Sequence, residues 1–385
     1  MMQGIINVHC HLLNFESVPD SFLRTRAPVN EWLIRNKFTG WLARGLTFVL
    51  PGNKHDRLHE MMAIMRKDIN TVAETYISEM NEAEIVLATP LMMDIAIASF
   101  NVKPEIPYRY QVEKVSDIAS EYPGVIMPFV MFDPRRRSVS ELIKTSLGEM
   151  GFLGVKMYPP LGYHPDPCSF LNAADVNYTL QEIYEYCEDN SIPITTHCSK
   201  GGAYSGDLMH CKELVLDFCH PSSWKGVLKR YPKLDINFAH FGGNGDFLNM
   251  DNPEYDSWSN VIQELINEYD NVYADTAYHD GALIEKTSRD YFDILIRLMN
   301  DNKMKERIIF GTDWLMTRHT WKEEEYVEAF TRELPAAMLE RIAFRNPLNF
   351  LFPGGKLPSR IKNFFEKKGI DEADLPQWMK SNLKI

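Results

Sequence analysis

Apolar positions along the chain follow two alternating rhythms. Short, nearly continuous apolar runs at 5–11, 84–89, 125–132, 154–158, 192–197, 234–240, 272–276 and 307–313 have the length and closing turn residues of buried strands. Between them, apolar residues recur every three to four positions. This predicts helices over 56–82, 109–121, 139–150, 174–190, 222–231, 258–268, 289–300, 323–333 and 335–345. Eight strands separated by helices imply a parallel sheet, and eight is the number at which such a sheet closes. An open doubly wound sheet would need a glycine loop for phosphate after an early strand, and none is present. The predicted fold class is therefore α/β, a (β/α)8 TIM barrel over residues 1–355. It carries a long insertion after the first strand (12–54, rich in aromatics) and a C-terminal helical extension at 356–385. The insertion reads as a lid or subunit contact, because structureless loops of that length are uncommon in compact domains and often cover active sites, with a purely structural insertion as the equal alternative.

Polar residues that interrupt the apolar runs carry the chemistry. His9 and His11 are two residues apart on the first strand, so both imidazoles point to one face while Val8 and Cys10 point away. Lys156 lies near the end of the fourth strand, and His197, His240 and Asp313 lie at or near the ends of the fifth, sixth and eighth. Side chains so distant in sequence meet only if the strand ends ring a common axis, which a barrel provides. Imidazole and carboxylate are ordinary ligands of a catalytic divalent ion, which needs about three protein donors and an open position. Arg135 and Tyr158 sit where barrels contact substrate, and with Lys156 they suggest an anionic, carboxylate-bearing molecule. Asp275, Tyr278, His279 and Trp314 fall in the same zone, where each is by itself an ordinary packing or solvated position. Among the remaining histidines only His210, in a glycine-rich stretch, attracts attention.

Composition narrows the partners. The chain has 385 residues, a formal charge of −12 and no basic block beyond Arg135–Arg137, which disfavours nucleic acid. No apolar run is long enough to cross a membrane, and no secretory leader is evident. The six cysteines form no CxxC pair and suit a reducing compartment, so a cytoplasmic protein acting on a small molecule is expected, with a homo-oligomer allowed.

The HxH pair, His197 in ITTHC, His240 in FAHFGG and Asp313 in FGTDW together resemble the amidohydrolase superfamily. GVKMYPP, HPSSWKGVLKRYPKLDINFAHFGG and RNPLNFLF are similar in layout to its type 2 branch, which contains hydrolases, decarboxylases, hydratases and lactonases. The likeness runs over most of residues 4–352. It implies one divalent ion held by His9, His11, His197 and Asp313, with His240 beside the bound water or substrate. Zinc is the expected ion, with manganese or another divalent ion as alternatives. If Lys156 is carboxylated, as in some superfamily members, it would bridge two ions, and His197 and His240 would hold the second. The family often has Asp before HxH where this chain has Asn7.

A divalent ion held by three imidazoles and one carboxylate lowers the pKa of its water from about 15.7 toward 7. The implied catalytic set is Asp313 as ligand and base, His240 polarising a carbonyl or steadying an oxyanion, and Lys156 meeting a carboxylate. The expected function is metal-dependent hydrolysis of an amide, lactone or ester. The same residues serve a non-oxidative decarboxylase or hydratase. A binding protein with a coordinatively closed ion is a third class, and it would need neither Asp313 as a base nor an uncoordinated His240.

Overall fold

The computed structural model describes residues 4–19, 57–99, 103–205, 208 and 211–385. Most of the expected insertion at 12–54, and His210, lie outside these residues. Among the described residues there are eight parallel strands: β1 (Ile5–Cys10), β2 (Ile85–Pro90), β3 (Phe129–Met131), β4 (Gly154–Met157), β5 (Ile194–Ser199), β6 (Ile236–Gly242), β7 (Val272–Asp275) and β8 (Ile308–Ile309). Strands β3 to β8 form one continuous ladder and β1 pairs with β2.

Two seams join these sheets into a ring. At the first, Met127 N–H donates to the Ala88 carbonyl at 3.0 Å and Met92 N–H to the Phe129 carbonyl at 3.0 Å. At the second, Val8 N–H donates to Phe310 O at 3.0 Å and His11 N–H to Trp314 O at 3.0 Å. The architecture is a TIM barrel. Its strands are buried nearly throughout, as expected where helices cover a parallel sheet, which is why they read as continuous apolar runs.

Helical boundaries differ from the periodicity, most informatively before β2 and before β6. The helix expected over 56–82 is two, Leu58–Met65 and Ile69–Glu82. The break falls at Asp68, whose carboxylate accepts the Thr71 N–H at 3.1 Å and caps the second helix. The helix expected near 222–231 begins as a tight turn over Pro221–Trp224 and becomes α-helical only at Lys225–Arg230. A short helix at Lys212–Cys219 was not signalled, since its apolar stripe spans barely two turns.

The last strand is the informative exception. Its apolar run extends over 307–313, yet only Ile308 and Ile309 pair as strand. Beyond them Asp313 takes φ +63° and Leu315 φ +77°, while the Thr312 and Asp313 N–H groups both donate to the His9 carbonyl, at 3.2 and 2.7 Å. This left-handed turn swings Asp313 toward β1.

The C-terminal segment closes the opposite side of the barrel. Phe350, its ring 6.5 Å from that of Phe129 and 5.0 Å from that of Tyr273, wedges between β3 and β7. Trp378 and Met379, on a helix at Gln377–Asn382, are buried in the same apolar cluster, and Trp378 Nε1–H donates to the Gly124 carbonyl at 3.1 Å. The extension thus docks on the barrel of its own chain. Among the described residues no helix is long and apolar enough to cross a membrane, and the six cysteines are unpaired.

Candidate active site

β1 delivers two imidazoles to one place. The rings of His9 and His11 lie edge to face, centroids 5.4 Å apart, and the His9 ring is 4.7 Å from that of His240 on β6. Asp313 Oδ1 is 3.2 Å from His11 Nε2 and 3.7 Å from His9 Nε2. All four residues are buried. The left-handed region also recurs here, at His240 (φ +67°), Phe241 (φ +43°) and Asp313. Such backbone costs on the order of 1–3 kcal/mol per residue and persists only where surrounding contacts enforce it.

Hydrogen bonds fix which ring nitrogen carries each proton. A carbonyl or carboxylate oxygen can only accept, so the nitrogen facing one must be N–H. His9 Nδ1 faces Asp275 Oδ2 at 3.0 Å, His11 Nδ1 faces the Leu91 carbonyl at 2.6 Å, and His240 Nδ1 faces the Ala277 carbonyl at 3.1 Å. All three therefore hold the proton on Nδ1. The Nε2 lone pairs of His9 and His240 are left available, and His11 Nε2 lies against Asp313 Oδ1 at 3.2 Å with no hydrogen bond made to that oxygen.

His197 differs. Its Nε2 lies 3.0 Å from the Gly201 carbonyl and 3.2 Å from Ser199 Oγ, so that nitrogen carries the proton. The ring stands 4.9 Å from His240 and stacks on Tyr158 at 4.2 Å, within the same ring of aromatics. Yet its Nε2 is engaged by the loop after β5.

Two groupings of ligand atoms fall within 4.8 Å of one another among the described residues: His9, His11 and Asp313, and His9, His240 and Asp275. The first is open, because His9 Nε2 and Asp313 Oδ1 are buried atoms without a hydrogen-bond partner. Burying such atoms unpaired costs on the order of 1–3 kcal/mol each, which a shared cation would recover. The second is saturated. Asp275 accepts not only from His9 but also from Asn237 Nδ2 at 2.8 Å and from the N–H groups of His240 and Ala277 at 2.8 and 3.1 Å. The chemistry of the first donor set fits a divalent ion.

Electrostatics agree with this division. Burial favours the neutral carboxyl at Asp313, but His9, His11 and His240 outweigh it and hold the acid well below the usual range. At Asp275, too, burial is outweighed, by His9 and His240. Burial, with His9 next in effect, pushes His240 down to about 3, so it is neutral at pH 7. Burial also lowers Lys156 to about 8 despite the nearby Asp275 and Asp313 carboxylates. Lys156 sits opposite the core-facing Val155 and Met157, and its Nζ lies 5.7 Å from the Tyr158 ring. The ammonium itself makes no hydrogen bond or ion pair to a described residue, whereas the Lys156 backbone is engaged, at its carbonyl by Phe132 N–H at 3.1 Å and within the ladder.

Other residues expected near the mouth fall out differently. Arg135 is a forked partner of Asp133, at 2.9 and 2.6 Å, and is partly exposed. Tyr158 is buried, and its hydroxyl accepts the Ala203 N–H at 2.9 Å. Asp275, His279 and Trp314 are not mouth residues but buried supports. His279 Nε2 donates to the His240 carbonyl at 2.7 Å, and Trp314 Nε1 donates to Glu79 Oε2 at 3.0 Å. Their side chains are consumed by the protein itself. Tyr278 alone of that group is substantially exposed.

Asn7, expected from sequence to orient the site rather than to bind an ion, lies in a buried network whose other members, Tyr76, Thr312 and Glu323, sequence reasoning missed. Register shifts between β1 and β2 at Asn7–Cys10, and across that irregularity Asn7 faces Tyr76 and Glu323 while His9 faces Asp275. Asn7 Oδ1 accepts the N–H groups of His9 and Thr312, at 3.1 and 3.2 Å, tying both ligand-bearing segments together. Asn7 Nδ2 and Thr312 Oγ1 donate to Glu323 Oε1 at 2.9 and 3.0 Å. Nothing in the acidic run at 323–325 distinguishes Glu323 from a solvated helix face. Gly311 carries a weak signal, since a side chain there would place its Cβ 2.7 Å from His9 Cβ.

Comparison with known proteins gives concordant results. None of the curated proteins compared matches the chain. Among solved structures, an uncharacterized TIM-barrel protein from Bordetella bronchiseptica is 17% identical with TM-score 0.53, covering 95% of this chain and 99% of that one. A probable 2-pyrone-4,6-dicarboxylic acid hydrolase from Acinetobacter baumannii, with citric acid bound, is 12% identical with TM-score 0.53, covering 91% and 99%. A 5-carboxyvanillate decarboxylase mutant from Novosphingobium aromaticivorans, with bound manganese, is 12% identical with TM-score 0.55, covering 90% and 97%. At these identities the likeness establishes the shared barrel. The model of the family described as Amidohydrolase, the type 2 branch, matches residues 6–352, nearly the whole barrel. This chain belongs to the amidohydrolase family.

Proposed function

We propose that the protein is a metal-dependent hydrolase that cleaves an amide, lactone or ester bond in a small, carboxylate-bearing molecule. The observation that carries this reading is the pair of buried, partnerless atoms His9 Nε2 and Asp313 Oδ1, with His11 Nε2 beside them. His9, His11 and Asp313 would hold the ion. His197 would join them as fourth ligand if its Nε2 exchanged the Gly201 carbonyl for the ion. A divalent ion, most simply zinc for this donor set and alternatively manganese, supplies Lewis acidity and a water acidified toward neutrality.

The chain's own residues do the rest. Asp313 is ionised and can take a proton from the attacking water. His240, neutral and with its Nε2 lone pair facing the site, begins as a proton acceptor rather than the donor expected from sequence. Only after taking a proton can it donate to a developing oxyanion. Lys156, still charged at neutral pH, would seat the substrate carboxylate, with Tyr158 and Arg135 at the approach.

A second reading, non-oxidative decarboxylation or hydration, uses the same residues. The burial of Lys156 beside the imidazoles favours it, because a carboxylate seated there would lie at the reacting centre rather than away from it. The test is to load metal-free protein with zinc or manganese, count ions per chain, and screen lactones, amides and aromatic or enoic acids. One ion per chain with acid release supports hydrolysis, and carbon dioxide release supports the second reading. No ion retained and no turnover would refute both.

A further inference from the structure

We infer that Asp275 is a positioning residue that sets the metal-facing nitrogen of His9 and the proton-accepting nitrogen of His240 at the same time, through one carboxylate. The inference rests on the metal-dependent reading above for its consequence, but its geometry stands independently.

Oδ2 of Asp275 accepts His9 Nδ1–H at 3.0 Å and Asn237 Nδ2–H at 2.8 Å. Oδ1 accepts the backbone N–H of His240 at 2.8 Å and of Ala277 at 3.1 Å. Ala277 in turn presents the carbonyl that takes His240 Nδ1–H at 3.1 Å. Each oxygen has its own task. Oδ2 fixes the proton of His9 on Nδ1, which leaves Nε2 as the ligand lone pair. Oδ1 pins His240 in its left-handed backbone and holds the residue that orients its ring. The other side of the residue is held as well, since the His240 carbonyl accepts from His279 Nε2–H and from the Gly243 N–H. Ligand geometry and acid–base geometry are therefore coupled rather than independently adjustable.

Asp275→Asn separates this role from mere filling of space, because it keeps the shape and exchanges one acceptor for a donor. If the new amide nitrogen faced His240 and Ala277, it would oppose two backbone N–H groups. If it takes the place of Oδ2, Asn237 can rotate its own amide to match, since Asn237 Oδ1 has no partner. The second orientation is favoured, and it donates to His9 Nδ1. The His9 proton then moves to Nε2, which blocks the ligand position.

The experiment combines zinc affinity, by competition with a chromophoric chelator, with long-range 1H–15N NMR of the histidine rings in metal-free protein. In the parent, His9 and His240 should both be Nδ1–H. In Asp275→Asn, His9 should shift to Nε2–H and zinc should bind about 10- to 100-fold more weakly. A folded variant with unchanged tautomers and zinc affinity within about twofold of the parent would overturn the inference. Should the variant fail to fold, the parent decides, because a His9 that carries its proton on Nε2 there is incompatible with the assigned role. A parent that binds no zinc refutes the metal-dependent reading, while its ring tautomers still decide the role of Asp275.

Discussion

Glu323→Gln should change the pH dependence of stability and reverse sign within the accessible range. Burial, reinforced by the neighbouring Glu79, pushes the Glu323 carboxyl up to about 8 from its ordinary value of 4.5. The folded protein therefore binds a proton here that the unfolded chain releases. A folded-state value above the unfolded one makes an acid's contribution full below about pH 4.5 and lost progressively as pH rises to about 8. At about 1.36 kcal/mol per pH unit, the interval corresponds to a loss of about 5 kcal/mol across that range. Glutamine keeps the acceptor used by Asn7 and Thr312 but places an amide N–H pair where Oε2 has no partner, at a cost of about 1–3 kcal/mol. The variant should thus be less stable than the parent near pH 5 and more stable near pH 9, with a crossing between. Urea unfolding at several pH values, in chelator so that ligand titration does not intervene, measures this. Parallel stability profiles for the two proteins would refute the assignment of a neutral, buried Glu323.

Further outcomes follow from other parts of the fold. Lys156→Met should stabilise metal-free protein at pH 7, by up to about 3 kcal/mol, since the depressed ammonium costs stability that is regained only as pH rises from about 8 toward 10.5. It should also raise KM for a carboxylate-bearing substrate, and a destabilised variant with unchanged KM would contradict the role given to this lysine. Gly311→Ala places a Cβ 2.7 Å from His9 Cβ and should cost about 1–3 kcal/mol with weaker zinc binding, read by denaturation and chelator competition. Unchanged zinc affinity would mean that His9 relaxes freely. Trp378→Ala removes a buried ring and its bond to Gly124 and should cost about 3–5 kcal/mol. A loss under about 1 kcal/mol would show that the C-terminal segment contributes little to the barrel.

How much could be read before the structure is clearest at β1 and β8. The alternation that puts His9 and His11 on one face is a property of any extended strand, so the pair was legible from spacing alone. Asp313 was legible as a strand-end carboxylate, but its approach to His11 depends on a left-handed turn that cuts β8 to two residues. Asp275 was visible only as another acid at a strand end. Three of its four donors come from two strands distant in sequence, β1 and β6, so no local pattern marks it as a support rather than a contact. Glu323 was less legible still, because a buried acid in an acidic helix run looks the same as a solvated one.

By itself, the chain's order of apolar runs and helical periods determined the eight-stranded parallel barrel, because burial on both sheet faces and amphipathic helices impose periods that survive without long-range information. It likewise determined which histidines and which terminal aspartate lie near strand ends. Only the tertiary structure decided where each proton sits, which nitrogen is left to bind an ion, and why the Lys156 ammonium has no hydrogen bond or ion pair among the described residues. Those properties depend on acceptors brought from other strands to within about 3 Å, a distance that closure of the barrel sets and sequence neighbours do not.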